Sequence, residues 1–119
     1  MRMRVLVVAS GNPYDGSDNV WNAVRIAAFE RDLGHDVDLF LLSDAVTLVH
    51  RATPPPADLK YDAAAELAAA LRAGVVVKVC GTCLKNRELP FDGVRADVPV
   101  GTLKDLADWL AAAARVVSF

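Results

Sequence analysis

The chain has 119 residues, 54% of them hydrophobic and 24% charged, and a formal net charge of −2. That length supports one domain, residues 1–119, with a real core, and excludes two comfortable ones; the composition excludes disorder. The charge leaves no footprint for nucleic acid or an anionic membrane, and no apolar run nears the roughly 18 residues of a spanning helix.

The first predicted element is a buried strand, Met3 to Ala9, a short β-branched run that ends in a turn-rich loop, Ser10 to Asn19. A helix follows, with Val20, Val24, Ala27 and Ala28 at i, i+4, i+7 and i+8. Asp18 or Asn19 is placed to cap its start, and Gly34 suits the left-handed residue after its end. Val37 to Leu42 reads as a second strand, with Asp44 placed to cap a short helix running to about His50. Pro54, Pro55 and Pro56 mark a surface loop, since proline continues neither a helix nor a central strand. Asp62 to Ala73 is an alanine-rich helix closed by Gly74, and Val75 to Val79 is a third strand with Cys80 at its end.

Thr82 to about Glu88 reads as a short helix. Leu89 to Gly101 reads as irregular, with a short strand near Val94 to Ala96. Thr102 caps the last helix, with Asp105 as its capping-box partner. Leu103, Leu106, Ala107, Leu110 and Ala114 form that helix's apolar stripe, and Val116 to Phe119 is the final strand. Near-continuous apolar strands alternating with helices imply a parallel sheet covered on both faces. Right-handed crossovers then bring the strand ends bearing Ser10, Ser43 and Cys80 to one rim.

Cys80 and Cys83 are the only cysteines. They stand where a strand ends and a helix begins, a position that faces the positive end of the helix and favours thiolate over thiol. The expected chemistry is a nucleophilic Cys80, with Lys85 and Arg87 close enough in sequence to supply cations. The bland alternative is a cysteine packed as a small hydrophobe. Cys83, one helical turn on, is spaced for a dithiol couple, a resolving thiol or a passenger. One such pair falls short of the four ligands of structural zinc, and neither His35 nor His50 completes a metal spacing. The loop GNPYDGSD has Gly11 and Gly16 after a strand but lacks the lysine and hydroxyl of a phosphate loop. The opening MRMRVLVVAS is too short and strand-like for a signal peptide, and two close cysteines are not a secreted disulfide framework. A cytoplasmic location is therefore expected.

The segments VLVVASGNPYDGSDNVWNAVRIA, GHDVDLFLLSDAV, GVVVKVCGTCLKNREL and GTLKDLADWLAAAARVVSF, in that order around CGTCL, resemble the DsrE/DsrF-like family, which includes sulfur-relay subunits. The resemblance implies a three-layer α/β/α sandwich with a mainly parallel five-stranded sheet, assembled as a homotrimer or homohexamer. It also implies that Cys80 carries sulfur as a persulfide and Cys83 matches a second cysteine of some branches. Gly81, Thr82, Lys85, Arg87, Asn12 and Asp44 are the supporting residues. Where many members have glycine after the arginine, this chain has Glu88. The function implied is sulfur relay between a donor and an acceptor protein, needing no metal or organic cofactor. Two other readings stay open at this point: a Cys80–Cys83 dithiol redox protein, and a non-enzymatic oligomeric scaffold or binding module.

Overall fold

The computed structural model describes all 119 residues. Five strands form one parallel sheet: β1 (Arg4–Ala9), β2 (Asp36–Leu41), β3 (Val76–Cys80), β4 (Val100–Gly101) and β5 (Arg115–Ser118). Their spatial order is β4-β3-β2-β1-β5. Four α-helices connect them: α1 (Asn19–Asp32), α2 (Ala63–Ala73), α3 (Gly81–Asn86) and α4 (Leu103–Ala112). Two 3₁₀ turns, Ser43–Val49 and Phe91–Gly93, complete the chain.

The strand order and right-handed crossovers determine which face each helix covers. From β1 to β4 the chain steps in one direction across the sheet, which puts α1 and α2 on the same face. From β4 it returns past three strands to β5, which puts α4 on the other. Side-chain pairs agree. Phe40 of β2 meets Trp109 of α4 edge to face at 5.9 Å between centroids. Lys78 of β3 reaches Asp105 of α4 at 3.7 Å. The core is dominated by β1, β2 and β3, with Val20, Val24, Leu67 and Leu84 closing on it from the helices.

Local chemistry explains the helix ends. Asp62 caps α2 by accepting the Ala65 amide at 3.1 Å, and Gly74 ends it at φ 102°. Thr102 and Asp105 exchange both capping-box hydrogen bonds at 3.1 and 2.9 Å. Asp18 stands at the N-cap of α1, but its side chain makes no capping bond.

Several expectations need correction. Asp44 caps nothing: the turn after β2 is 3₁₀ and begins at Ser43, and its N-cap residue is Leu42. The strand expected near Val94 to Ala96 is only a single antiparallel bridge between Val94 and His50. The edge strand is instead the two-residue β4, in register Val79 to Val100 and Cys80 to Gly101. The apolar stripe of α4 buries only Leu106; Leu103 and Leu110 stay 61% and 46% exposed, and Ala114 lies past the helix end. No helix is long and apolar enough to cross a membrane.

Candidate functional site

The register carries Ala9, Leu41 and Val79 across the sheet in one row. The next residues, Ser10, Leu42 and Cys80, therefore form its carboxyl rim. The chain reverses strand order between β1 and β5, so this rim's topological switch point lies two strands from Cys80.

Cys80 ends β3 and is the N-cap residue of α3. Its Sγ accepts the Cys83 amide at 3.4 Å, taking the place an oxygen fills in an ordinary cap. The Thr82 amide also points to it. Both donors favour a charged sulfur, yet they do not prevail. Cys80 is 1% exposed, and burial pushes its thiol above the ordinary value, helped by the neighbouring Cys83 thiol. The expected lowering at a helix amino end is outweighed by desolvation.

Gly81, the next residue, is packed closely as well. A Cβ there would lie 3.0 Å from Val100 Cγ1 and 3.2 Å from Phe91 Cζ, so the first turn of α3 is pressed beneath β4 and the Phe91 ring. Glycine permits that close approach.

Cys83 lies one turn further and is half-buried. Its Sγ accepts the Ser43 amide at 3.2 Å. Ser43 also takes φ 49°, a left-handed conformation uncommon for a residue with a side chain. Position alone marked Ser43 as a rim residue; no local sequence signal announces the amide contact. No disulfide joins the two cysteines.

The remaining expected residues divide into those at the site and those elsewhere. Arg87 donates to Asp44 Oδ1 at 2.8 and 3.1 Å and to the Cys83 carbonyl at 3.1 Å. It therefore bolts the end of α3 to the turn that carries Ser43. Its charge is matched by Asp44 instead of being left for a sulfur. The Lys85 ammonium lies 5.6 Å from the centre of the Phe91 ring, and Lys78 is held by Asp105 and Trp109. Asn12 belongs to its own loop, where Oδ1 accepts the Tyr14 amide at 2.8 Å, and it makes no hydrogen bond to either sulfur.

The histidines serve the loops. His35 Nδ1 accepts the Met3 amide at 3.0 Å. His50 Nδ1 accepts the Ala52 amide at 3.1 Å, which leaves Nε2 protonated to donate to the Pro90 carbonyl at 2.7 Å. Nowhere do three or more His, Cys, Asp or Glu side chains gather as a metal site.

This arrangement has the parts for thiol exchange: two free sulfurs one helical turn apart, one buried and one partly exposed, with a backbone donor facing each. Comparison with known proteins gives the family. The sequence profile of the DsrE/DsrF-like family matches residues 3–119. Protein YchN of Escherichia coli is 36% identical over 118 residues, covering 98% of each chain. Uncharacterized protein MK0008 of Methanopyrus kandleri is 30% identical over 115 residues, covering 97% of this chain and 93% of that one. The crystal structure of E. coli YchN superposes with a TM-score of 0.85 at 34% identity, over 98% of this chain and 99% of that one. The structure of MTH1491 from Methanobacterium thermoautotrophicum, at 15% identity and a TM-score of 0.73 over 98% and 99%, shares the fold. The chain belongs to the DsrE/DsrF-like family, one associated with sulfur relay.

Proposed function

We propose that this DsrE/DsrF-like protein is a sulfur-relay carrier that holds sulfane sulfur as a persulfide on Cys80 and hands it to an acceptor protein. The observation that supports this most is a pair of free thiols one helical turn apart at the sheet's carboxyl rim, with the Cys83 amide 3.4 Å from Cys80 Sγ. Thiol exchange needs a sulfur nucleophile, a leaving sulfur and access, and no metal or organic cofactor. Burial of Cys80 suits storage, because a persulfide is a reversible cap that stray thiols remove where they can reach it.

The test is mass spectrometry after incubation with a low-molecular-weight persulfide. The wild type should gain one sulfur atom, located on Cys80 by fragmentation, and lose it to an acceptor thiol. No gain, or equal gain by the Cys80→Ser/Cys83→Ser double variant, refutes the relay.

Self-assembly as a homotrimer or homohexamer belongs to the same proposal. Its support is the apolar surface a single chain leaves uncovered: Leu103 and Leu110 on α4, and Val116 and Val117 on the edge strand β5.

A further inference from the structure

We infer that Cys83 is the sulfur that first takes sulfane sulfur from the donor, and that Cys80 receives it from Cys83. This rests on the relay reading above and concerns the order of events within it. Four observations on the two thiols carry it.

Cys80 is 1% exposed, and its sulfur is turned onto the first turn of its own helix, where it accepts the Cys83 amide. A donor persulfide must bring its terminal sulfur into line with the attacking sulfur, and that approach to Cys80 is closed in this conformation. Cys83 is half-buried, with exposed Thr82, Lys85 and Asn86 around it on α3. The Ser43 amide, 3.2 Å from Cys83 Sγ, supplies a fixed donor to whatever charge develops on that sulfur as it attacks or departs. Arg87, bridging Asp44 and the Cys83 carbonyl, keeps donor and sulfur in register.

The chemistry closes without a further reagent. In the first step the Cys83 thiolate attacks the terminal sulfur of a donor R–S–SH. A bond forms from Cys83 Sγ to that sulfur, the donor's S–S bond breaks, and the donor leaves as R–S⁻ with the electron pair. In the second step Cys80 Sγ attacks the same terminal sulfur, the Cys83–S bond breaks with its electron pair remaining on Cys83, and the Cys80 proton passes to Cys83. The product is Cys80–S–SH beside a Cys83 thiol, with no net oxidation of the pair. The two cysteines stand one helical turn apart, with the Cys83 amide 3.4 Å from Cys80 Sγ, so both sulfurs belong to one short stretch of chain. The Ser43 amide then faces the departing Cys83 sulfur.

The experiment compares wild type, Cys80→Ser and Cys83→Ser after brief exposure to glutathione persulfide and an acid quench. The Val79–Lys85 peptide is then fragmented to locate the added sulfur. The wild type should hold it on Cys80, and Cys80→Ser should load at near wild-type rate with the sulfur on Cys83. Cys83→Ser should load at least about tenfold more slowly, since rate follows access. Loading of Cys83→Ser on Cys80 at the wild-type rate overturns Cys83 as first acceptor and leaves the relay intact. Sulfur that stays on Cys83 in the wild type overturns the second step. No loading in any of the three sinks the relay reading and this one with it. Should Cys83→Ser fail to fold, iodoacetamide labelling of the wild type decides: Cys83 labelled first supports the order, and Cys80 labelled first overturns it.

Discussion

Glu88 offers a measurement of how tightly the helix carrying Cys83 is closed. After α3 the Glu88 amide donates to the Lys85 carbonyl at 3.0 Å and the Leu89 amide to the Leu84 carbonyl at 3.0 Å. These are the paired bonds of a Schellman ending, and partly buried Leu89 packs near buried Leu84 as that motif prefers. The motif requires a left-handed residue at Glu88, whose φ is 54°. A residue with a Cβ pays roughly 1–2 kcal/mol for that conformation, whereas glycine does not. Glycine also enlarges the unfolded ensemble, which takes back about 0.4–1 kcal/mol. The net expectation for Glu88→Gly is a gain of about 1 kcal/mol, or roughly 4 °C in Tm for a domain of this size. Glu88→Ala separates the two contributions, because it keeps the Cβ and removes the carboxylate. Urea unfolding followed by tryptophan fluorescence, at one fixed protein concentration, measures all three. Glycine should exceed alanine by about 1 kcal/mol; an alanine variant as stable as the glycine variant refutes the strain argument.

Other substitutions probe the surroundings. A Cβ at Gly93 would overlap the His50 ring, so Gly93→Ala must displace a buried histidine and its bonds to Ala52 and Pro90, costing about 2–4 kcal/mol in denaturant unfolding. A loss below about 0.5 kcal/mol would show that the ring is not fixed there. Burial raises the Cys80 thiol, so the folded chain holds that proton more tightly than the unfolded one. The resulting stability is whole below the unfolded thiol value of about 8.5 and declines as pH rises from there through the folded value. Wild type should therefore lose stability between about pH 8 and 10 more steeply than Cys80→Ala, and equal slopes would contradict the shift. Leu110→Glu places a charge on the uncovered face of α4, and native mass spectrometry should show the wild-type oligomer shifted to monomer. A monomeric wild type refutes the assembly.

The strands and long helices were legible because their signals are local. Valine-rich runs end at turn residues, Gly34 and Gly74 take the left-handed ends their positions require, and Thr102 and Asp105 cap as their spacing demands. What escaped was set by partners distant in sequence. Asp44 has the look of a cap, but its partner is Arg87, 43 residues on, and only the packing of α3 against the turn after β2 reveals it. β4 has two residues, too few for any periodicity, and exists because β3 offers it an edge. The same holds for the site. CGTC at a strand-helix junction marked both cysteines. Whether the helix amides or burial would govern Cys80 depended on how completely the folded chain covers that residue, and no spacing encodes that.

The backbone singles out the same place from another direction. Only two residues other than glycine take a positive φ in the whole chain, Ser43 and Glu88. Both border α3: Ser43 turns its amide onto the Cys83 sulfur, and Glu88 closes the helix that presents it. Each conformation costs on the order of 1 kcal/mol or more and persists only where the surroundings over-determine it. At Ser43 the surroundings are the Arg87 bridge and the packed 3₁₀ turn, whose Ala45, Val46, Leu48 and Val49 are all buried. That the fold concentrates its non-glycine strain around the reachable thiol, and leaves the buried one to its own helix turn, argues for two sulfurs with different tasks.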